Sequence, residues 1–434
     1  MNEIFQRNLA VIEQRWPQVA QRLQAEDADA VPAQLLEGQG STLSIAGIQL
    51  TSRHDRLAEA RLQAASLPAD SAEIHLYGTG LGDLQRVLLA SSGLQNLHVH
   101  ILNGAIFALV VRLLEQDDWL SDRRVSLAYV DERAEIQLPF FALPAELVLA
   151  DDSSARIRDR LVSEIHLSFN NREFSLENAA NVHRLEQGRA LLQNDTDVGE
   201  LFGTQPGRDV FVIATGPSLQ QHLARLQQVS ERAERPLFIC VDTAFWPLRR
   251  LGISPDIVVS IDHNITERHL PPAESENIPL VYLPRLDASL LNAWRGPRYV
   301  GYSSSPMYAD IRQDIPKGQL FVAGSVIHPA IDLAVKMGAS RITLFGADFA
   351  FPGDKTHTGW QDGELGPKMS IARHWVRDGR GNKVKTQLNF RSYLIELERY
   401  ITQHPEVTFL NTSRDGALIA GTDFDPEWTA HETQ

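Results

Sequence analysis

A chain of 434 residues that is 43% hydrophobic and 22% charged has the composition of a soluble globular protein, with enough apolar material for two or three domains. Its formal net charge of −14 excludes the basic footprint that non-specific nucleic-acid binding requires, so no nucleic acid is expected as a partner. The single cysteine, Cys240, lies in the apolar run LFICV, which rules out a disulfide framework and fits a reducing cytoplasm.

In chain order, the start MNEIFQRNLAVIEQRWPQ mixes charged and apolar residues and lacks the continuous apolar core of a signal peptide. No later run is long enough to span a bilayer, so neither export nor a membrane span is expected. Residues 1–66 read as a helical and then irregular segment, with Phe5, Leu9, Ile12, Trp16, Val19 and Leu23 near helical spacing. From 67 to 150 the order is strand AEIHLYG, helix DLQRVLL, strand LHVHIL, helix AIFALVVRLLEQ and strand RVSLAYV, the alternation of a small Rossmann-like parallel α/β domain. Residues 151–204 are polar and read as a helical linker. From 205 to 434 the pattern returns in the strands DVFVIA, LFICV, DIVVSI, IPLVYL, RYVGY, QLFVA, RITLFG and EVTFL, which predict a doubly wound, Rossmann-like α/β sheet.

Open sheets of this kind bind ligands beyond the carboxyl ends of their strands. The turn Ala214–Ser218 follows the first strand of the second unit, and Leu219, Leu223 and Leu226 start a helix. Gly216 permits close backbone approach and Pro217 suits a first helical turn, so Thr215, Gly216, Pro217 and Ser218 fit a one-phosphate cradle and a plain turn equally well. There is no Walker lysine and no GxGxxG. In the first unit, GTGLG (Gly78–Gly82) resembles a nucleotide turn, but Asn103 stands after the next strand where a ribose-binding acid is expected, and a structural turn is the favoured reading.

Further tips carry Asp242-Thr243, Asp262-His263-Asn264, Gly324-Ser325 and Gly346-Ala347-Asp348. Three adjacent side chains point in different directions, so Asp262–Asn264 alone make no metal site. Ser325 can cap a helix whose first turn holds His328. Asp242 and Asp348 suit ribose or amide groups. The segment ADFAFPGDKTHTGW brings Lys355, His357 and Trp360 into one loop after a strand tip, a composition that suits a site lid. An imidazole with an ordinary pKa near 6.5 can take a hydroxyl proton, so His357 is the first candidate base, with His328 and His374 in reserve.

Together IATGPSL, DTAFWPLRRLGISPDIVVSIDHN, GSVIHPAIDLAVKMGASRITLFGADFAFPGDKTHTGW and NTSRDGALIAG resemble, in order and spacing over residues 205–421, the motility accessory factor (Maf) glycosyltransferases. The core of that family is similar to bacterial sialyltransferases. The resemblance implies a cytoplasmic inverting glycosyltransferase that moves a nonulosonic acid, of the pseudaminic or legionaminic type, from its CMP-activated donor to Ser/Thr of flagellin. It implies no obligatory cofactor or metal. It puts the donor phosphate at Thr215–Ser218, and the cytidine part near Gly324, Ser325 and Asp348. Thr215 replaces an asparagine and Ala350 a tyrosine of the sialyltransferase pattern, leaving Lys355 or His357 to steady the leaving phosphate. An archaeal branch with the same core resembles hydroxymethylpterin diphosphokinases, which use ATP and magnesium, and a non-catalytic flagellin-binding factor is the third reading.

Overall fold

The structure is a computed structural model that describes residues 3–131, 135–173, 179–372 and 374–430. It contains two compact units, Met1–Ile165 and His166–Gln434, each with its own hydrophobic core.

In the first unit the amphipathic start forms two helices, Glu3–Arg15 and Pro17–Ala25, rather than one run. Pro17 occupies the first turn of the second helix, where its missing N–H costs nothing. The stretch expected to be irregular instead folds as a small antiparallel sheet of β1 (Ala33–Glu37), β2 (Ser41–Ile45) and β3 (Ile48–Gln49). Its turns, GQG and AG, are too close together for a periodicity to show. Strands β4 (Glu73–Tyr77), β5 (Asn96–Ile101), β6 (Val125–Tyr129) and β7 (Phe140–Ala142) make a parallel sheet in the order β6-β5-β4-β7. Asn103 caps the helix Gly104–Leu113 through its side chain, which receives the Ile106 N–H at 3.0 Å.

The GTGLG turn of this unit is already filled. Glu146 is 1% exposed, and its Oε1 accepts the N–H groups of Thr79 and Gly80 at 2.6 and 2.5 Å. The protein supplies its own carboxyl oxygen where a nucleotide phosphate would lie.

The second unit is built on nine parallel strands: β8 (Thr196–Asp197), β9 (Asp209–Ile213), β10 (Leu237–Val241), β11 (Ile257–Ser260), β12 (Leu280–Tyr282), β13 (Arg298–Val300), β14 (Arg341–Phe345), and, after a hairpin of β15 (His374–Arg377) and β16 (Lys383–Thr386), β17 (Thr408–Asn411) and β18 (Asp423–Phe424). The sheet order is β18-β17-β14-β9-β10-β11-β12-β13-β8, a doubly wound α/β arrangement as the sequence predicts. Val210, Val212 and Ile213 of β9, Ile239 and Cys240 of β10, and Ile342 and Leu344 of β14 are wholly buried, as expected for a sheet covered on both faces.

One predicted strand is absent. QLFVA contributes only a bridge between Gln319 and Tyr302, because the Phe321 N–H donates to the Asp332 carboxylate at 2.8 Å instead of to a neighbouring strand. The chain leaves β9 for β10 on one side, and β14 lies on the other, so the sheet reverses direction of growth between β9 and β14. That switch point opens a crevice at the strand ends.

Candidate active site

Two glycines let the tips of β9 and β14 meet. The Gly216 N–H donates to Gly346 O at 2.8 Å, and a Cβ on Gly216 would stand 2.4 Å from that oxygen. Gly346 has φ 62°, and a Cβ there would stand 2.4 Å from Ala214 O. After this crossing Phe349 is held at φ 46°, left-handed backbone that an aromatic residue adopts at a cost of about 1–3 kcal/mol.

The anion at the Ala214–Ser218 turn is a carboxylate of the protein itself. Asp348 is 3% exposed, and its Oδ2 accepts the Ser218 N–H at 2.8 Å. Its position is fixed on two further sides, by Gly216 and by Gly416, whose Cβ would fall 2.6 Å from Oδ1. The expectations that the turn's free N–H groups cradle a phosphate and that Asp348 faces the cytidine are therefore corrected. Gly216 and Ser218 donate inward, Pro217 has no N–H, and Asp348 holds the turn in shape. Glu146 in the first unit does the same for its own turn, a likeness of two turns far apart in sequence.

What remains available is side chain. The Ser218 Oγ is buried without a hydrogen-bond partner among the described residues, and Ser218, Pro217 and Lys355 line a cleft of about 460 Å³. The opposite wall comes from the β15–β16 hairpin through Asp378, Lys383 and Val384, with Asp415 beside it. Lys355 is exposed and makes no ion pair among the described residues, whereas Asp415 is bound to Arg380 at 2.9 Å and the Asp378 carboxylate receives the Arg380 and Asn382 N–H groups. The volume suits a small molecule such as a nucleotide.

The loop carrying His357 is latched onto the turn. The Thr358 N–H donates to Thr215 O at 2.8 Å, and its hydroxyl to Gly216 O at 3.0 Å. Trp360 Nε1–H donates to Thr243 O at 2.9 Å, while the Thr215 and Thr243 hydroxyls share a hydrogen bond of 2.8 Å. His357 sits inside this latch with a buried Nδ1 that has no partner among the described residues, and burial pushes its pKa down to about 4. At neutral pH it is an uncharged imidazole with an unused nitrogen.

The reserve histidines are placed otherwise. His328 is 1% exposed, accepts the Ser325 N–H at Nδ1 and donates from Nε2 to Tyr393 O at 2.9 Å, so both nitrogens are committed. His374 opens β15 and meets Arg391 at 3.4 Å, at the end of the hairpin away from Asp378 and Lys383. Gly324, at φ 90° against the Tyr393 ring, and Ser325 start the segment into the helix Ile327–Met337 and lie outside the cleft lining. These four residues are not brought together with Ser218 and Lys355.

Asp242 also faces inward. It is 1% exposed, receives the Ser260 hydroxyl at 2.8 Å and the Thr243 N–H at 2.7 Å, and burial raises its pKa to about 7. Burial lowers the pKa of His328 to about 4, so the two groups pull the pH dependence of stability in opposite directions. His328 contributes stability that is complete above its unfolded pKa near 6.5 and lost as pH falls towards 4; Asp242 contributes stability that is complete below about 4 and lost as pH rises through 7. Asp242→Asn is expected to steepen the loss of stability between pH 7 and pH 4.5 by about 2–3 kcal/mol, read from urea unfolding at the two pH values. Equal losses in both proteins would show that Asp242 is ionised throughout.

Thr243 was legible only as part of the Asp242-Thr243 strand tip, and Ser260 and Thr358 were not legible as site residues, although threonines on both sides of His357 were a visible sign. The hairpin was also missed, despite the turn DGRGN between the alternating runs HWVR and KVKT.

Residues 185–354 match the family model described as 6-hydroxymethylpterin diphosphokinase MptE-like. Among solved structures, a MAf glycosyltransferase from Magnetospirillum magneticum AMB-1 is similar at TM-score 0.45 and 14% identity, over 99% of this chain and 77% of that one. No helix among the described residues is long and apolar enough to cross a membrane. The 6-hydroxymethyl-7,8-dihydropterin pyrophosphokinase of Methanothermobacter thermautotrophicus is 30% identical over 195 residues, which are 44% of this chain and 75% of that enzyme. With three quarters of the archaeal enzyme matched at that identity, the chain belongs to the 6-hydroxymethylpterin diphosphokinase MptE-like family.

Proposed function

We propose that the second unit is a transferase for a phosphate-activated donor, and that it moves a nonulosonic acid from CMP to a Ser/Thr hydroxyl of flagellin with inversion at the anomeric carbon. The observation that carries this reading is the cleft at the β9/β14 switch point, where a Ser218 hydroxyl and a Lys355 ammonium without partners among the described residues adjoin the loop that holds a neutral His357 with an unpartnered Nδ1. Ser218 and Lys355 suit the one phosphate of CMP, which carries little enough charge to leave without an obligatory metal. His357 is placed in the role of base for the acceptor hydroxyl. Asp348 and Asp242 serve as positioning residues: the first fixes Ser218, the second joins the tips of β10 and β11.

The family match favours a second reading, ATP-dependent diphosphate transfer to a hydroxymethylpterin. Calorimetric titration of the full chain with CMP and with ATP, each with and without magnesium, separates the two. Saturable CMP binding without metal is expected, with at least tenfold weaker binding by Lys355→Ala. Magnesium-dependent ATP binding and no response to CMP would replace the first reading with the second.

A further inference from the structure

In a parallel sheet covered on both faces the strands read as nearly continuous apolar runs. Strand β5, NLHVHI, does not: Leu97, Val99 and Ile101 enter the core of the first unit, while His98 and His100 share the other face. On β4 the same face carries Glu73, His75 and Tyr77. Register sets His75 beside His98, His98 beside Ser126 of β6, and Tyr77 beside His100. The sequence thus builds a row of imidazoles across two strands, β4 and β5, flanked by the Glu73 carboxylate on β4 and the Ser126 hydroxyl on β6.

The rings converge. His75 and His98 stack with centroids 4.6 Å apart, and both Nε2 atoms point to one oxygen, Glu73 Oε1, at 3.3 and 3.0 Å. One donor atom from each of the three residues falls within 4.8 Å of the others. Around a tetrahedral zinc with bonds of about 2.0–2.1 Å, ligand atoms stand about 3.3–3.4 Å apart, so the three donor atoms reach three corners by drawing in to that spacing while the two stacked rings tilt towards a common point.

A second observation points the same way. A metal-bound imidazole needs a partner on its other nitrogen to fix its tautomer and orientation. His98 Nδ1 has Ser126 Oγ at 2.7 Å, and His75 Nδ1 has His100 Nε2 at 3.1 Å. Each of these partners can accept an N–H as readily as it can donate, so both Nε2 lone pairs can turn to a cation without stranding a buried nitrogen.

We propose that Glu73, His75 and His98 bind one zinc ion in the first unit, with water at the fourth position and with Ser126 and His100 as positioning residues. The two-histidine, one-carboxylate donor set is of a kind zinc accepts. The site belongs to the first unit and does not depend on the reaction of the second.

The test uses the full chain, stripped with EDTA and dialysed. Titration with zinc is expected to show one ion per chain, and cobalt in its place is expected to give the visible absorption of a four-coordinate site. Glu73 is half exposed, so Glu73→Gln leaves the fold intact; it and His98→Ala are expected to weaken zinc binding at least tenfold, with circular dichroism as the check on folding. Ser126→Ala is expected to weaken it about 10–100-fold by freeing the His98 ring. Absence of a bound ion in the unsubstituted protein would overturn the proposal. So would zinc held equally well by the unsubstituted protein, Glu73→Gln and His98→Ala, because the ion would then sit on others of the chain's 14 histidines.

Discussion

Gly216→Ala is expected to destabilise the second unit by about 3 kcal/mol or more and to remove nucleotide binding with it. The cause is steric and not conformational freedom, since Gly216 is not among the residues at positive φ. A Cβ would lie 2.4 Å from Gly346 O and 2.5 Å from Asp348 Oδ2, and neither obstacle is the loose end of a flexible side chain. The first is backbone at the end of β14; the second is a carboxylate lodged between Ser218 and Gly416. Relieving the clash means parting the two strand tips, which gives up the Gly216–Gly346 and Ser218–Asp348 hydrogen bonds. Overpacking costs about 1–3 kcal/mol, and each buried donor left without a partner adds about 1–3 kcal/mol.

The measurement is the urea midpoint at unchanged slope. Gly188→Ala is the internal control. Gly188 lies inside the helix Ala179–Asn194 with nothing near its would-be Cβ, so alanine there is expected to stabilise by about 0.5–1 kcal/mol. An unchanged midpoint for Gly216→Ala would show that the tips of β9 and β14 are not packed as described.

The same crossing explains what could and could not be read beforehand. Strands β9 to β14 announce themselves, because burial on both faces demands apolar runs bounded by turns, and the sequence contains them. QLFVA misled because its apolar residues are real while its backbone hydrogen bond goes to Asp332, a choice made eleven residues away. Strands β8 and β18 have two residues each, too few to show a period. The ATGPSL turn was legible as a place where N–H groups seek an anion. That the anion is Asp348, 130 residues further on, follows only from the pairing of β9 with β14. Glu146, 67 residues beyond Thr79, is hidden for the same reason. Local chemistry announces the need, and topology decides what meets it.

His357→Ala is expected to lower kcat about 10²–10⁴-fold on whichever donor the calorimetry identifies, with little change in stability. The loop should stay in place, because its hold on the turn runs through Thr358 and Trp360 and not through the imidazole. Burial keeps His357 unprotonated down to about pH 4, so its lone pair is available across the physiological range. The weakness of so poor a base in the free protein is offset once a phosphate donor is bound. The anionic donor then faces the imidazolium that forms as the acceptor hydroxyl loses its proton, and in a site of low dielectric that attraction is large. The kcat/KM profile of the unsubstituted protein should therefore fall on the acid side near pH 4 and not near 6.5, and the residual activity of His357→Ala should lack that limb. An acid limb near pH 7 that survives the substitution would move the role to Asp242, whose pKa burial raises to about 7. Full activity in His357→Ala would leave the loop as a latch alone, with Thr358→Val then the more damaging change because it removes the hydroxyl that ties the loop to Gly216 and Pro217.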